Sequence, residues 1–238
     1  TLFRSHRPHG GAARPAFGGG RSPSNRGGGK KRGSSFEKID VSRFISKATI
    51  VEKEEIYLPT HTFSDFAIDE KLKTAIAAKE YIYPSPIQDK AIPHALGGRD
   101  ILGIANTGTG KTAAFLIPII NKILNDPKET AIIIAPTREL ALQIEKEFVE
   151  FARGMKIWSV ACVGGAPIGR QISMLRYLNN FVIGTPGRLL DLVKRGEIDL
   201  STTRSVVLDE ADRMLDMGFI HDVKKLLNAL PKKRQSLF

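Results

Sequence analysis

The sequence predicts an α/β domain with a central, mostly parallel sheet flanked by helices, preceded by a disordered basic tail. Two observations predict the domain: from about residue 61, short β-branched runs alternate with longer amphipathic segments, the signature of βαβ units. The short runs are also apolar on successive residues, as strands covered on both faces must be. A third predicts the tail: residues 1–35 hold nine of the 22 glycines and almost no aliphatic side chains, so they cannot offset the entropy of folding.

Within the domain the candidate strands are Ile101–Ile104, Ala131–Ile134, Trp158–Val163, Phe181–Ile183 and Val206–Leu208. Between them lie candidate helices Pro86–Leu96, Lys111–Leu124, Arg138–Phe151, Arg188–Lys194 and Asp222–Leu230. No internal repeat is visible, which excludes a solenoid. Residues 36–60 read as an adapter, with Ile39, Val41, Phe44 and Ile45 as the apolar positions of one short helix. Thr1–Ser5 equals the translation of a common sequencing-adapter end and is expected to be an assembly scar outside the fold.

A chain of 238 residues with 42% hydrophobic content can bury a sizeable core. Its lone cysteine, Cys162, excludes a disulfide framework and any zinc site with several thiolates, and fits a reducing compartment. The apolar runs, such as Ile101–Ala105, are far shorter than the ~20 residues a membrane span needs. With no apolar leader, a cytoplasmic location is expected. The net charge of +11 points to a polyanion, nucleic acid being the usual one. The charge is unevenly spread. Residues 1–35 take eight of the 36 basic residues and none of the 25 acidic ones, so the body is close to neutral and the tail is a basic arm able to add nonspecific nucleic-acid binding or to serve only as a linker.

The first chemical motif is Ala105-Asn106-Thr107-Gly108-Thr109-Gly110-Lys111-Thr112, directly after a candidate strand and opening a candidate helix. That context is what a phosphate-binding P-loop requires. Gly108 and Gly110 let the backbone turn its amides inward, and those amides with the helix N-terminus bind phosphate oxygens. Lys111 would reach the β and γ phosphates of a nucleotide and the Thr112 hydroxyl would ligate Mg2+. Ala105 stands where the generic pattern has glycine.

The second motif, Asp209-Glu210-Ala211-Asp212, follows Val206-Val207-Leu208. Carboxylates at the C-terminal end of a parallel strand face the ligand crevice of an open α/β sheet. Asp209 is placed to hold Mg2+ and Glu210 to orient and deprotonate an attacking water.

With these two motifs the chain resembles the DEAD-box RNA helicases, whose P-loop begins with alanine as Ala105 does. The resemblance covers about residues 61–238 and implies a RecA-like P-loop NTPase domain that binds ATP, Mg2+ and RNA, incomplete at its C-terminus. Tyr81-Ile82-Tyr83-Pro84-Ser85-Pro86-Ile87-Gln88 looks like that family's Q motif, with Phe63 as its upstream aromatic and Glu80 where the family usually carries glycine. A glutamine amide offers a donor and an acceptor that match the N6/N7 edge of adenine. Gln88 would thus select ATP, with Tyr81 stacking on the base and Phe63 buttressing the site. Pro136-Thr137-Arg138, Gly164-Gly165 and Thr185-Pro186-Gly187-Arg188 resemble the RNA-contacting motifs, holding phosphates by backbone amides and hydroxyls without reading bases. Asp212 falls in the interdomain coupling position.

In the family a second RecA-like domain follows a Ser-Ala-Thr motif and supplies arginine fingers worth about 10³ to 10⁵ in turnover. By the resemblance, that motif would follow Gln235-Ser236-Leu237-Phe238. The expected activity is ATP-dependent RNA unwinding or remodelling by a longer protein, with this chain alone scarcely hydrolysing ATP. An RNA-binding or annealing module with a nucleotide switch is the alternative. His61, His94 and His221 fall in no metal-ligand spacing and read as structural, and Trp158 and Cys162 read as core packing.

Overall fold

The computed structural model describes residues 57–106 and 108–238. The basic tail, the adapter up to residue 56 with its expected helix, and Thr107 of the phosphate loop lie outside the described residues. Five strands, β1 (Ala131–Ile134), β2 (Ser159–Cys162), β3 (Phe181–Gly184), β4 (Ser205–Leu208) and β5 (Gln235–Leu237), form one sheet in the order β2-β3-β1-β4-β5. Every neighbouring pair is parallel, so each connection must cross over a face of the sheet.

Helices α1 (Glu70–Ala77), α2 (Pro86–Leu96) and α3 (Lys111–Asn125) precede the first strand. Between strands run α4 (Arg138–Phe151), α5 (Ile168–Leu175), α6 (Pro186–Lys194), α7 (Ala211–Asp216) and α8 (Ile220–Ala229). The two-residue period of the strands divides the core. Ala131 and Ile133 of β1 pack with Ile144 and Phe148 of α4 and Ile117 and Ile120 of α3. Ile132 and Ile134 face the other way, into Leu189 and Leu192 of α6 and Val223 and Leu226 of α8. Burying each such aliphatic side chain stabilises the fold by about 1.5–3 kcal/mol before entropy is counted, which holds the helices against both faces. The crossover from β1 thus leaves on one face and those from β3 and β4 on the other, so neighbours β1 and β4 part at their C-terminal ends. That parting opens the crevice of an α/β sheet.

The central strand at Ala131–Ile134 and those at Phe181–Gly184 and Ser205–Leu208 lie where the sequence puts them. Two expectations are corrected. Ile101–Ile104 does not form a full strand: Ile101 makes a parallel bridge to Leu237, and Gly103 N–H donates to Phe238 O across 2.6 Å. Ile101 pairs with Leu237, the last residue of β5, so the residues after it run past that strand, and Ile104 is 93% exposed. Trp158 precedes β2 and is 46% exposed, because β2 is an edge strand with only alternate residues covered; Cys162 is fully buried as expected. β5 itself was not expected, being three residues long with a polar start. Among the described residues, no helix is long and apolar enough to cross a membrane.

Candidate functional site

The P-loop runs from Ala105 to the start of α3 at Lys111. Gly110 has φ +90° and a Cβ there would collide with the Gln88 amide, so only glycine fits the turn. Two side chains from the start of α2 hold the loop from outside. Ser85 Oγ donates to Thr109 O across 2.7 Å, and Gln88 Nε2 donates to Gly110 O across 3.0 Å. Gln88 Oε1 in turn accepts from Ser85 N at 2.9 Å, closing a capping box at the helix start. A glutamine amide has two donors and two lone pairs, and these bonds use one of each. Within the loop, Thr109 Oγ1 donates to Asn106 O across 2.8 Å and Lys111 Nζ to Ala105 O across 2.7 Å.

Asp209 directly follows β4, its amide donating to Ile134 O across 3.0 Å. Burial pushes its pKa up, against the lowering effect of the Lys111 charge, so its carboxylate lies in the field of the P-loop lysine. Glu210 follows at φ +51°, a left-handed conformation that costs about 1–2 kcal/mol for a residue with a Cβ; strain of this kind collects at functional sites. Its carboxylate meets Arg213 Nη1 at 2.9 Å. Lys111, Asp209, Glu210 and Asp212 all line one cleft of about 310 Å³, which Ile104 and Ala105 also line. Thr112 lies one residue into α3. Near it stands Glu147 of α4, whose pKa burial pushes up against the Lys79 charge and a hydrogen bond with the Thr112 side chain.

Among the described residues no group of three or more His, Cys, Asp or Glu side chains is placed to hold a metal ion. A hydroxyl at Thr112 and a buried carboxylate at Asp209 are too few for a protein cage. They suit Mg2+, which dehydrates reluctantly and is commonly held by one or two protein ligands plus substrate phosphates.

The candidate RNA residues all follow C-terminal strand ends on the β2-β3-β1 side of the sheet. Thr137 caps α4, its Oγ1 accepting from Leu140 N at 3.2 Å, after buried Pro136. Thr185 caps α6 without using its hydroxyl on the cap, followed by buried Pro186 and exposed Gly187. The two arginines converge on the loop containing Gly164 and Gly165. Gly165 has φ +71°, and a Cβ there would strike the Arg138 guanidinium. Arg188 reaches the same loop, donating to Ala166 O across 3.2 Å from both Nη1 and Nη2. The sequence reading missed Gln171 of α5, which is buried, donates to Val163 O at 3.0 Å and accepts from Arg188 Nη1 at 2.8 Å; a glutamine on the apolar side of a helix was its only signal.

Phe63 is buried in an aromatic run, its ring centroid 5.8 Å from both Phe66 and Tyr81, and Tyr81 lies 6.2 Å from Phe151. Asp212 is exposed in the first turn of α7 and accepts from Arg213 N at 2.9 Å.

A family model described as DEAD/DEAH box helicase matches residues 85–238. The chain belongs to the DEAD/DEAH box helicase family. It is 46% identical over 179 residues to the ATP-dependent RNA helicase DeaD of Klebsiella pneumoniae, covering 74% of this chain and 28% of that protein. It is 45% identical over 179 residues to the DEAD-box ATP-dependent RNA helicase CshA of Bacillus subtilis, covering 75% and 36%. A crystal structure of a DEAD box protein from the hyperthermophile Methanococcus jannaschii superposes with a TM-score of 0.71 at 40% identity, over 74% of this chain and 48% of that one. The RecA-like fold expected from the sequence is therefore that of this DEAD/DEAH box domain. The chain spans about a third of the curated relatives it matches. The matched region begins at Ser85, so Phe63 and Tyr81 lie N-terminal to it.

Proposed function

We propose that residues 61–238 are the ATP-binding domain of an ATP-dependent RNA helicase, with residues 36–60 as an adapter and residues 1–35 as a basic arm that adds nonspecific RNA contacts. The observation that carries this reading is the edge formed by the C-terminal ends of β1 and β4. On one side of it Lys111, Asp209 and Glu210 share a cleft; on the other, Thr137, Arg138, Gly165, Thr185 and Arg188 cluster on loops after β1, β2 and β3. A nucleotide site and an RNA-holding face sharing one sheet edge is what a motor needs to couple the two.

In this reading the amides of residues 105–110 and the start of α3 cradle the phosphates, and Lys111 exchanges its bond to Ala105 O for the β and γ phosphates. Thr112 and Asp209 would hold Mg2+, which when bound would supply neutralisation of charge on the transferred phosphoryl group. Glu210 orients the attacking water and takes its proton. The free donor and lone pair of Gln88 face the adenine edge, with Tyr81 stacking on the base and Phe63 behind it. Thr137 and Thr185 donate to RNA phosphate oxygens, and Arg138 and Arg188 shape the Gly164–Gly165 loop against the same strand. Asp212, exposed beside the cleft, couples the site to a second RecA-like domain of the longer protein, which supplies the arginine fingers. The buried thiol of Cys162 suits a reducing, cytoplasmic setting.

The test is RNA-stimulated phosphate release by the protein of full family length. Release that rises with RNA and is lost in Glu210→Gln supports the reading; RNA-independent turnover, or turnover that survives Glu210→Gln, refutes it. The domain alone is expected to release phosphate scarcely at all, with or without RNA.

A further inference from the structure

Asp89 is a buried carboxylate directly after Gln88 in the first turn of α2, and it touches neither the P-loop nor the acidic cleft. It accepts instead from residues 28 to 32 positions earlier: Tyr57 Oη at 2.5 Å, Thr60 N at 2.7 Å and His61 Nδ1 at 2.6 Å. A buried carboxylate is costly unless hydrogen-bonded, and truncating such a cluster leaves a stranded charge. A location in the first turn of a helix also favours the anion. The three donors and the carboxylate therefore form a stiff joint between residues 57–61 and α2.

What hangs from this joint makes it more than a staple. In one direction the next residue back is Gln88, whose amide holds Gly110 O, while Ser85 Oγ holds Thr109 O. In the other direction His61 packs on Phe66 with ring centroids 5.6 Å apart, Phe66 on Phe63 at 5.8 Å, and Phe63 on Tyr81 at 5.8 Å. The Phe63 amide also donates to Ile82 O across 3.2 Å, tying this chain of rings to the segment leading into α2. The hydrogen-bonding reader of the base and the aromatic surface proposed to stack on it are thus both attached, by short chains of direct contacts, to one carboxylate.

We infer that Asp89, gripped by Tyr57, Thr60 and His61, is a positioning residue for base recognition, setting the distance between the Gln88 amide and the Phe63–Tyr81 aromatic surface. The inference rests on the nucleotide site proposed above. It assigns a role to residues 57–61, which precede the family match at residue 85, and to a residue outside every motif of the site. A joint that sets this geometry affects binding of the base it fits, adenine, more than binding of a base that does not use the Gln88 edge. A joint that merely stabilises the fold affects all nucleotides alike.

The experiment is a titration of the chain with fluorescent ATP and GTP analogues in Mg2+, for wild type and Asp89→Asn, with thermal unfolding alongside. The expected result is an ATP affinity about tenfold lower in Asp89→Asn, with GTP affinity changed by less than about twofold, so that discrimination collapses; tenfold corresponds to about 1.4 kcal/mol. His61→Gln, which keeps an N–H donor, is expected to retain more discrimination than His61→Ala. If Asp89→Asn does not fold, Tyr57→Phe and His61→Ala each remove one donor and carry the test. Equal loss for both nucleotides, or a lower Tm with discrimination intact, overturns the positioning role. Wild-type protein that binds neither nucleotide saturably overturns the nucleotide-site reading instead, a result distinguishable from the first.

Discussion

Arg188 Nη1 donates to Gln171 Oε1 across 2.8 Å, joining the start of α6 to the buried side of α5. Because Gln171 also donates to Val163 O, one amide side chain fixes both an arginine of the proposed RNA face and the strand end that leads into Gly164 and Gly165. Gln171→Ala leaves a buried carbonyl and part of a guanidinium unsatisfied, a cost of about 1–3 kcal/mol in stability. The expected outcome is RNA binding weakened about tenfold, as 1.4 kcal/mol implies, with ATP binding unchanged. Fluorescence anisotropy with single-stranded RNA, paired with urea denaturation, measures both effects.

Glu80 has φ +58°, so the structure has a left-handed turn at the position where the resemblance to the Q motif leads one to expect glycine. Glycine removes about 1–2 kcal/mol of strain there and returns about 0.5–1 kcal/mol as lost backbone entropy. Glu80→Gly is expected to raise stability by about 0.5–1 kcal/mol, read as a higher urea midpoint with unchanged slope. Glu210 carries the same strain at φ +51°, and Glu210→Gly is expected to stabilise similarly while abolishing ATP hydrolysis in the longer protein.

The Asp89 cluster sets a pH window. Burial pushes the Asp89 pKa up, but hydrogen bonds from Tyr57, Thr60 N–H and His61 outweigh it and hold it at about 2, against an ordinary 3.8. The hydrogen bond to Asp89, with burial, raises Tyr57 from 10.0 to about 12. A depressed acid stabilises above its unfolded pKa, and that contribution is lost as pH falls from about 4 to about 2. A raised tyrosine stabilises below its unfolded pKa, and that contribution is lost as pH rises from about 10 to about 12. Urea midpoints of wild type minus Asp89→Asn are expected to shrink at both ends, below about pH 4 and above about pH 10.

Cys162 is fully buried, and burial pushes its thiol pKa up to about 12. The thiolate is the reactive form, so Ellman's reagent is expected to modify native protein only at the rate of unfolding. Reaction at the rate of an exposed thiol in native buffer contradicts the packing found around β2.

The strands and helices legible in the sequence are those whose burial repeats along the chain: β1 at Ala131–Ile134 is covered on all four residues, and α4 presents Ala141, Ile144, Phe148 and Phe151 to the core. Ile101–Ile104 reads the same way as β1, but composition does not encode that its neighbour is the three-residue β5, whose last residue pairs with Ile101. Trp158 likewise lies beside an edge strand, a fact of strand order and not of local pattern. For the candidate site, Lys111, Asp209 and Glu210 were legible because phosphate chemistry demands short motifs. Asp89 and Gln171 were not, since each depends on donors distant in sequence: Tyr57 is 32 residues from Asp89 and Arg188 is 17 from Gln171. Such pairs become visible only when the fold brings the elements together.

The central claim is that the cleft lined by Lys111, Asp209 and Glu210 holds ATP with Mg2+. Isothermal titration of the chain with ATP in Mg2+, for wild type and Lys111→Ala, tests it most directly. The account expects saturable one-to-one binding by wild type and a loss of about tenfold or more in Lys111→Ala, the loss of a hydrogen bond to a charged group being worth about 1.5–3 kcal/mol. No saturable binding by wild type, or equal affinity in both proteins, would contradict it.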